Sequence, residues 1–251
     1  MIDLITNYHL SYWEWMLAVL CGMMIGISKT GLSGVGLIVV PILAEIFGGR
    51  PSVGLLLPML VIADIFAVRF YNRHADWSYI IKLLPWAVIG ILIALFLGNN
   101  IDDEQFKKLI AILVIVGIIL MIYMDIFRQK PEVPHYWWFS ATLGLAGGFT
   151  SMIGNAAGPI MAIYLLSMQL PKNIYIGTGA WFFFIINVIK IPIHVFAWKT
   201  ITLQSLSFDL LMTIPIITGA ITGFYLVKLI PEKPFRAFII LSTMASAIVL
   251  F

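Results

Sequence analysis

The sequence predicts an all-α, polytopic membrane protein built from two tandem repeats. Three observations carry that prediction. The chain is strongly apolar, it contains several apolar runs of about 20 residues, and two Gly-rich interruptions fall at corresponding places in its two halves.

Of 251 residues, 61% are hydrophobic and 11% charged, against roughly 25% charged for an ordinary soluble domain. Mean hydropathy is +1.03. The formal charge of +3 is spread over loops, with no basic run dense enough for nucleic-acid binding. Cys21 is the only cysteine, so an intrachain disulfide is impossible and no thiolate metal site is suggested. No cofactor or metal is implied. Asp3, His9 and Glu14 stand where a cleaved signal would carry a basic region, so the first apolar segment is expected to stay in the mature protein.

The first segment, about Trp13 to Phe47, is interrupted by Gly22, Gly26, Gly31, Gly34 and Gly36, with Ser28, Lys29, Thr30 and Ser33 among them. Glycine at this density weakens a helix by about 1 kcal/mol per residue relative to alanine. Gly48-Gly49-Arg50-Pro51 closes the segment, and Pro51 suits the first turn of the second helix, which runs to about Tyr71. A third helix is expected from about Ser78 to Leu97. A fourth begins at the acidic cluster Asp102-Asp103-Glu104, which complements a helix N-terminus, and continues to about Phe127. The polar linker Arg128–His135 follows. Trp137-Trp138 then anchors a second interrupted segment, ending near Met168, that carries Gly144, Gly147, Gly148, Gly154 and Gly158 beside Thr150, Ser151 and Asn155. Helices are expected at about Lys172–Trp198, Leu203–Ile230 and Phe235–Phe251.

This order divides one integral-membrane domain into repeats at residues 1–130 and 131–251. Pro51 and Pro171 stand 120 residues apart, as do His74 and His194, and Gly34 and Gly154. Further on the offset becomes 129, for Ile101 with Ile230 and Phe106 with Phe235. If each broken segment crosses the membrane once, the halves lie parallel and basic residues divide about evenly. If each is a re-entrant hairpin, three full spans remain per repeat and the halves are inverted. Arg69, Arg73, Lys82, Arg128, Lys130, Lys172, Lys228, Lys233 and Arg236 then share one side, against Arg50, Lys107, Lys108, Lys190 and Lys199. The positive-inside rule favours the inverted scheme, with both termini outside.

Polar groups inside a membrane must find partners or face water. Where helices unwind, free N–H groups and half-helix N-termini favour an anion. Ser28, Lys29, Thr30 and Ser33 from one half, with Ser151, Asn155, Asn187 and Lys190 from the other, therefore form a candidate site for a small oxyanion. The alternative is that the glycines serve close helix packing and the hydroxyls bond locally. Lys190 lies one turn after Asn187; it binds the anion, pairs with a carboxylate such as Asp64, or snorkels to the interface. Asp64 is also the candidate for coupling to protons or ions. Arg69, His74 and His194 are expected to anchor at the interface, and Glu45 and Asp209 to sit near headgroups.

One enzymatic pattern is present. Gly31-Leu32-Ser33-Gly34 fits the Gly-x-Ser-Gly of rhomboid-type intramembrane serine proteases, with His74 or His194 as the histidine. The serine lies in the first segment rather than a later one, and Ile193-His194-Val195-Phe196-Ala197 lacks the glycines that accompany the rhomboid histidine. The chain is not expected to be an enzyme.

The stretches Gly22–Pro41 and Gly144–Pro159, with the repeat, resemble the sulfite exporter TauE/SafE family, also called the toluene sulfonate uptake permeases. The resemblance covers nearly the whole chain and implies a multi-pass carrier of the bacterial inner membrane, moving sulfite, sulfonates or related organic anions. The family's glycines map onto Gly26, Gly31, Gly34 and Gly36, and onto Gly148, Gly154 and Gly158, as backbone or hinge positions. Val35 and Asn155-Ala156-Ala157 depart from that pattern and leave the substrate open. The expected partners are a small anion and the lipid bilayer; a homo-oligomer is compatible with the sequence. A secondary transporter with a midplane site between the broken segments, working by alternating access, is the reading that results. An anion channel is the alternative.

Overall fold

In the computed structural model the described residues are 10–31, 35–106 and 136–231, with Tyr8 and scattered residues between 108 and 119. Ser33, Gly34, most of the fourth helix, the linker and the helix expected at Phe235–Phe251 lie outside them. The described residues are helical, with no strand among them.

Local chemistry sets the boundaries. Helix α1 (Tyr12–Thr30) starts at a capping box: the Ser11 hydroxyl accepts from the Glu14 amide while the Glu14 carboxylate accepts from the Ser11 amide. It stops at Gly31, where an added Cβ would lie 1.9 Å from Val227. Helix α2 (Gly36–Phe47) follows, and only Gly48 separates it from α3 (Gly49–Tyr71). Gly48 has φ 90°, a conformation that favours glycine. A single 3₁₀ turn (Asn72–His74) leads to α4 (Trp77–Asn99), capped by Asp76 accepting from the Ser78 amide at 3.0 Å. Helix α5 (Trp137–Gly154) ends at Asn155, held left-handed at φ 51°, which asparagine tolerates. Then come α6 (Gly158–Ser167), with Pro159 in its first turn, and α7 (Lys172–Pro192), which widens into a π-helical turn (Ile193–Ala197). A Thr202/Ser205 capping box starts α8 (Leu203–Leu229).

Among the described residues, four stretches are long and apolar enough to span a bilayer: Gly49–His74, Trp77–Asn99, Lys172–Ala197 and Leu203–Leu229. The chain is a polytopic helical membrane protein. The two interrupted segments divide where their glycines predict, each into a longer helix and a shorter one. An added Cβ on Gly36 would come 2.6 Å from the Ser28 hydroxyl, and one on Gly147 would touch Ile160 at 3.7 Å. Each short helix therefore begins beside the helix it follows.

Packing pairs α1 with α8 and α4 with α5, while α3 packs on α7. Glycines set the first two crossings. A Cβ on Gly26 would sit 2.1 Å from the Ile216 carbonyl oxygen, and one on Gly219 would sit 2.1 Å from that of Met23. Across α4 and α5, Gly90 meets the Leu145 carbonyl at 2.1 Å and Gly148 meets that of Ala87 at 1.9 Å. Gly22/Gly26, Gly144/Gly148 and Gly219/Gly223 are small-xxx-small pairs that bring backbones into contact without any hydrophobic drive from lipid. Gly26 and Gly148, expected at hinges, thus lie inside helices and serve packing.

Candidate functional site

Between the two breaks lies a cavity with about 90 Å³ open to the centres of water-sized molecules. One water needs roughly 10–15 Å³ on that measure, so the space holds several waters or one small anion. The end of α1 contributes Ser28, Lys29 and Gly31, and the start of α2 contributes Gly36 and Leu37. From the other half come Ser151 near the end of α5, Asn155 at the break, and Gly158 at the start of α6. Helix α3 adds Leu56 and Leu60, and α7 adds Gly179, Phe183 and Asn187. The first residues of α2 and α6 border this space, so the positive ends of two helix dipoles lie beside it.

Two charged clusters line and back the cavity. Lys29 pairs with the fully buried Asp64, Nζ to Oδ1 at 2.9 Å, while the other carboxylate oxygen accepts from the Asn187 amide at 2.6 Å. The Lys29 ammonium also sits 4.3 Å from the centre of the Phe183 ring, within cation–π range. Lys190, also fully buried, donates to the Ser151 carbonyl at 2.9 Å, the Ser151 hydroxyl at 2.9 Å and Asn155 Oδ1 at 2.7 Å. Three oxygen partners thus surround the Lys190 nitrogen, an arrangement that can hold an ammonium. Asn155 is held in turn by its amide donating to the Val53 carbonyl at 3.2 Å, so α3, α5 and α7 meet there.

The expected residues separate into three groups. Ser28, Lys29, Ser151, Asn155 and Asn187 line the cavity; Asp64 and Lys190 stand one layer behind, each bonded to a lining residue. Thr30 points elsewhere: its hydroxyl donates to the Gly26 carbonyl at 3.0 Å, and it fills the space beside Gly223. Ser33 and Gly34 lie outside the described residues. Gly31, Gly36 and Gly158 line the cavity, whereas Gly154 ends α5.

Several placements differ from expectation. Lys190 does not snorkel, because Ser151 and Asn155 supply a complete set of acceptors within the protein. The lysine paired with the Asp64 carboxylate is Lys29 from α1, not Lys190. His194 is buried rather than interfacial: the chain turns back after α7, and the Thr200 hydroxyl lies 2.8 Å from His194 Nδ1. Asp209 is buried against the aromatic cluster around Phe208 instead of facing headgroups. Two participants were not anticipated. Tyr71 donates from its hydroxyl to the Thr30 carbonyl at 3.2 Å, which satisfies an orphan group at the end of α1. Phe183, which shares a helical face with Asn187, had a sequence signal in that four-residue spacing. Tyr71 had none.

Residues 18–250 fit the family model for sulfite exporter TauE/SafE. No curated protein and no solved structure matches the chain. With 233 of 251 residues inside that model, and two glycine-interrupted segments meeting at one cavity, the chain belongs to the sulfite exporter TauE/SafE family.

Proposed function

We propose that this protein is a secondary transporter of small oxyanions such as sulfite, sulfonates or related organic anions, acting in the cytoplasmic membrane by alternating access. The family supports transport of such anions. The observation that carries the reading is the cavity between the two breaks, where Lys29, two helix N-termini and the amides of Asn155 and Asn187 converge. Lys29, Lys190 and Asp64 together carry a formal charge of +1, which in a poorly solvated site favours one anion. Ser28, Lys29, Ser151, Asn155 and Asn187 contact the anion; Lys190 holds Ser151 and Asn155 in place; Asp64 is the coupling group.

The repeat belongs to this proposal. The halves are related by inversion, as the basic-residue distribution favours. Matched bonds support the repeat itself. Arg50 donates to the carbonyls of Gly98 and Ile101 at the end of α4, and Lys172 donates to those of Val227 and Ile230 at the end of α8. Gly98 with Val227 and Ile101 with Ile230 are both 129 residues apart, the offset found from sequence. The pairing of α4 with α5 and α8 with α1 also exchanges third helices between halves.

The test is thermal stability of detergent-purified protein with sulfite, sulfoacetate, taurine, sulfate, acetate and chloride. A ligand at about 100 times its Kd stabilises by about 2.7 kcal/mol. The expected result is a shift with a sulfur oxyanion that disappears in Lys29→Ala. No shift with any anion overturns the site. Counterflow in proteoliposomes then separates a carrier, which shows it, from an anion channel, which does not.

A further inference from the structure

Resting on the anion-site reading, we propose that Asp64 is a proton-carrying counter-charge that sets which anion charge the cavity accepts. A monoanion enters with Asp64 ionised; a dianion enters only with a proton on Asp64. The argument is one of charge balance. Asp64 is fully buried in the middle of α3, and among the described residues the charged groups acting on it are Lys29 from α1 and Lys190 from α7. Helix α7 otherwise presents the neutral Asn187, and the ion pair of Asp64 is with Lys29 rather than with Lys228 of α8, the other charged residues of α2 and α8 being the carboxylates Glu45 and Asp209. Counting Lys190 as an ammonium, as its three oxygen partners favour, the empty site holds two ammonium groups and one carboxylate. An unbalanced charge in such a place is strongly penalised, so the loaded site tends to neutrality.

A sulfonate or another monoanion reaches neutrality by itself. A dianion leaves one negative charge in excess, and the group able to remove it is the carboxylate already facing Lys29. When the dianion takes over Lys29, Asp64 Oδ1 loses its ammonium partner, and that oxygen binds a proton drawn from water. Asn187 still donates to Oδ2, so the neutral carboxyl keeps one bond. Lys190 takes no part in the exchange, because all three of its donors are already bonded to Ser151 and Asn155.

The test uses two probes of fixed charge, methanesulfonate as monoanion and sulfate as dianion, with purified full-length protein. Binding is measured at acid and neutral pH, and proton uptake on binding is followed with a pH indicator in weak buffer. Sulfate affinity is expected to fall about tenfold per pH unit over the range where Asp64 ionises, with about one proton taken up per sulfate. Methanesulfonate is expected to bind with no pH slope and no proton uptake. Asp64→Asn should bind sulfate without pH dependence. Sulfate binding with no proton uptake overturns the proposal, as does a pH slope that survives Asp64→Asn. The wild-type proton count decides the matter even if that variant does not fold. Methanesulfonate binding with no sulfate binding at either pH also overturns it while leaving the anion site intact. Binding of neither probe overturns the anion-site reading itself.

Discussion

Removing either side of the Lys29–Asp64 pair should destabilise the protein far more than removing both. Asp64 is fully buried and Lys29 is 13% exposed, with Nζ and Oδ1 2.9 Å apart. In Lys29→Met the carboxylate keeps the Asn187 amide and loses its ammonium. In Asp64→Asn the ammonium keeps the Phe183 ring and loses its counter-charge. Breaking a buried pair from one side costs about 3–5 kcal/mol, whereas replacing both partners by neutral groups is often near neutral. The amide left at position 64 in the double variant can still bond Asn187, so its net loss should stay within about 1–2 kcal/mol. The coupling energy in the cycle is then about 3 kcal/mol or more, well above the roughly 0.5 kcal/mol scatter of independent sites. With about 2–4 °C of Tm per kcal/mol for a chain of this size, each single variant should lose on the order of 6–20 °C and the double variant only a few. The assay is thermal unfolding of all four proteins in one detergent without added anion. A double variant that loses the sum of the two single losses would show that the pair contributes nothing as a pair.

Three further outcomes follow from the packing and the polar contacts. Gly26→Leu and Gly148→Leu should each force a helix pair apart, since even a Cβ would lie 2.1 Å and 1.9 Å from carbonyl oxygens; a loss of about 3 kcal/mol or more is expected in thermal unfolding, whereas Gly179→Ala, with its nearest neighbour at 3.4 Å, should be tolerated. Lys190→Met should fold, because the Ser151 carbonyl still accepts from the Asn155 amide at 3.1 Å, but anion affinity should fall about tenfold or more as the site loses its +1 charge, read by thermal shift against sulfite. Arg50→Ala should cost about 1–3 kcal/mol, because the carbonyls of Gly98 and Ile101 lose a charged donor; Arg50→Lys should restore part of it, as the lysine at 172 does the corresponding task in the other half.

The fold was legible because its strongest signals are local. Apolar runs of spanning length and turn residues at Gly48 and Pro51 fix element ends to within a few residues. The break positions were legible too, since glycine and proline weaken a helix wherever the chain later packs. Side-chain direction was not. Thr30 adjoins Lys29 in sequence, yet the two point apart, because successive helical residues are turned about 100° from each other. Which lysine meets Asp64 depends on how α1 and α7 approach α3, and that is a matter of tertiary packing. A sequence places two cations near one carboxylate without saying which of them faces it.

The glycines show why one residue type carried two readings that position alone separates. Gly22, Gly26, Gly144 and Gly148 precede the breaks by one or more helical turns, at four-residue spacing, and lie against backbone or Cβ atoms of α4 or α8. Gly31, Gly36 and Gly158 stand at the breaks themselves, where they border the cavity. The first set holds each broken segment rigidly against a long helix; the second leaves helix ends exposed to the cavity. An anion site made of half-helix N-termini requires both, because a dipole is useful only where it is fixed and the amide can be approached. Packing and function are therefore not competing explanations of these segments. The four-residue spacing marks the clamp, and the glycines beyond it border the cavity.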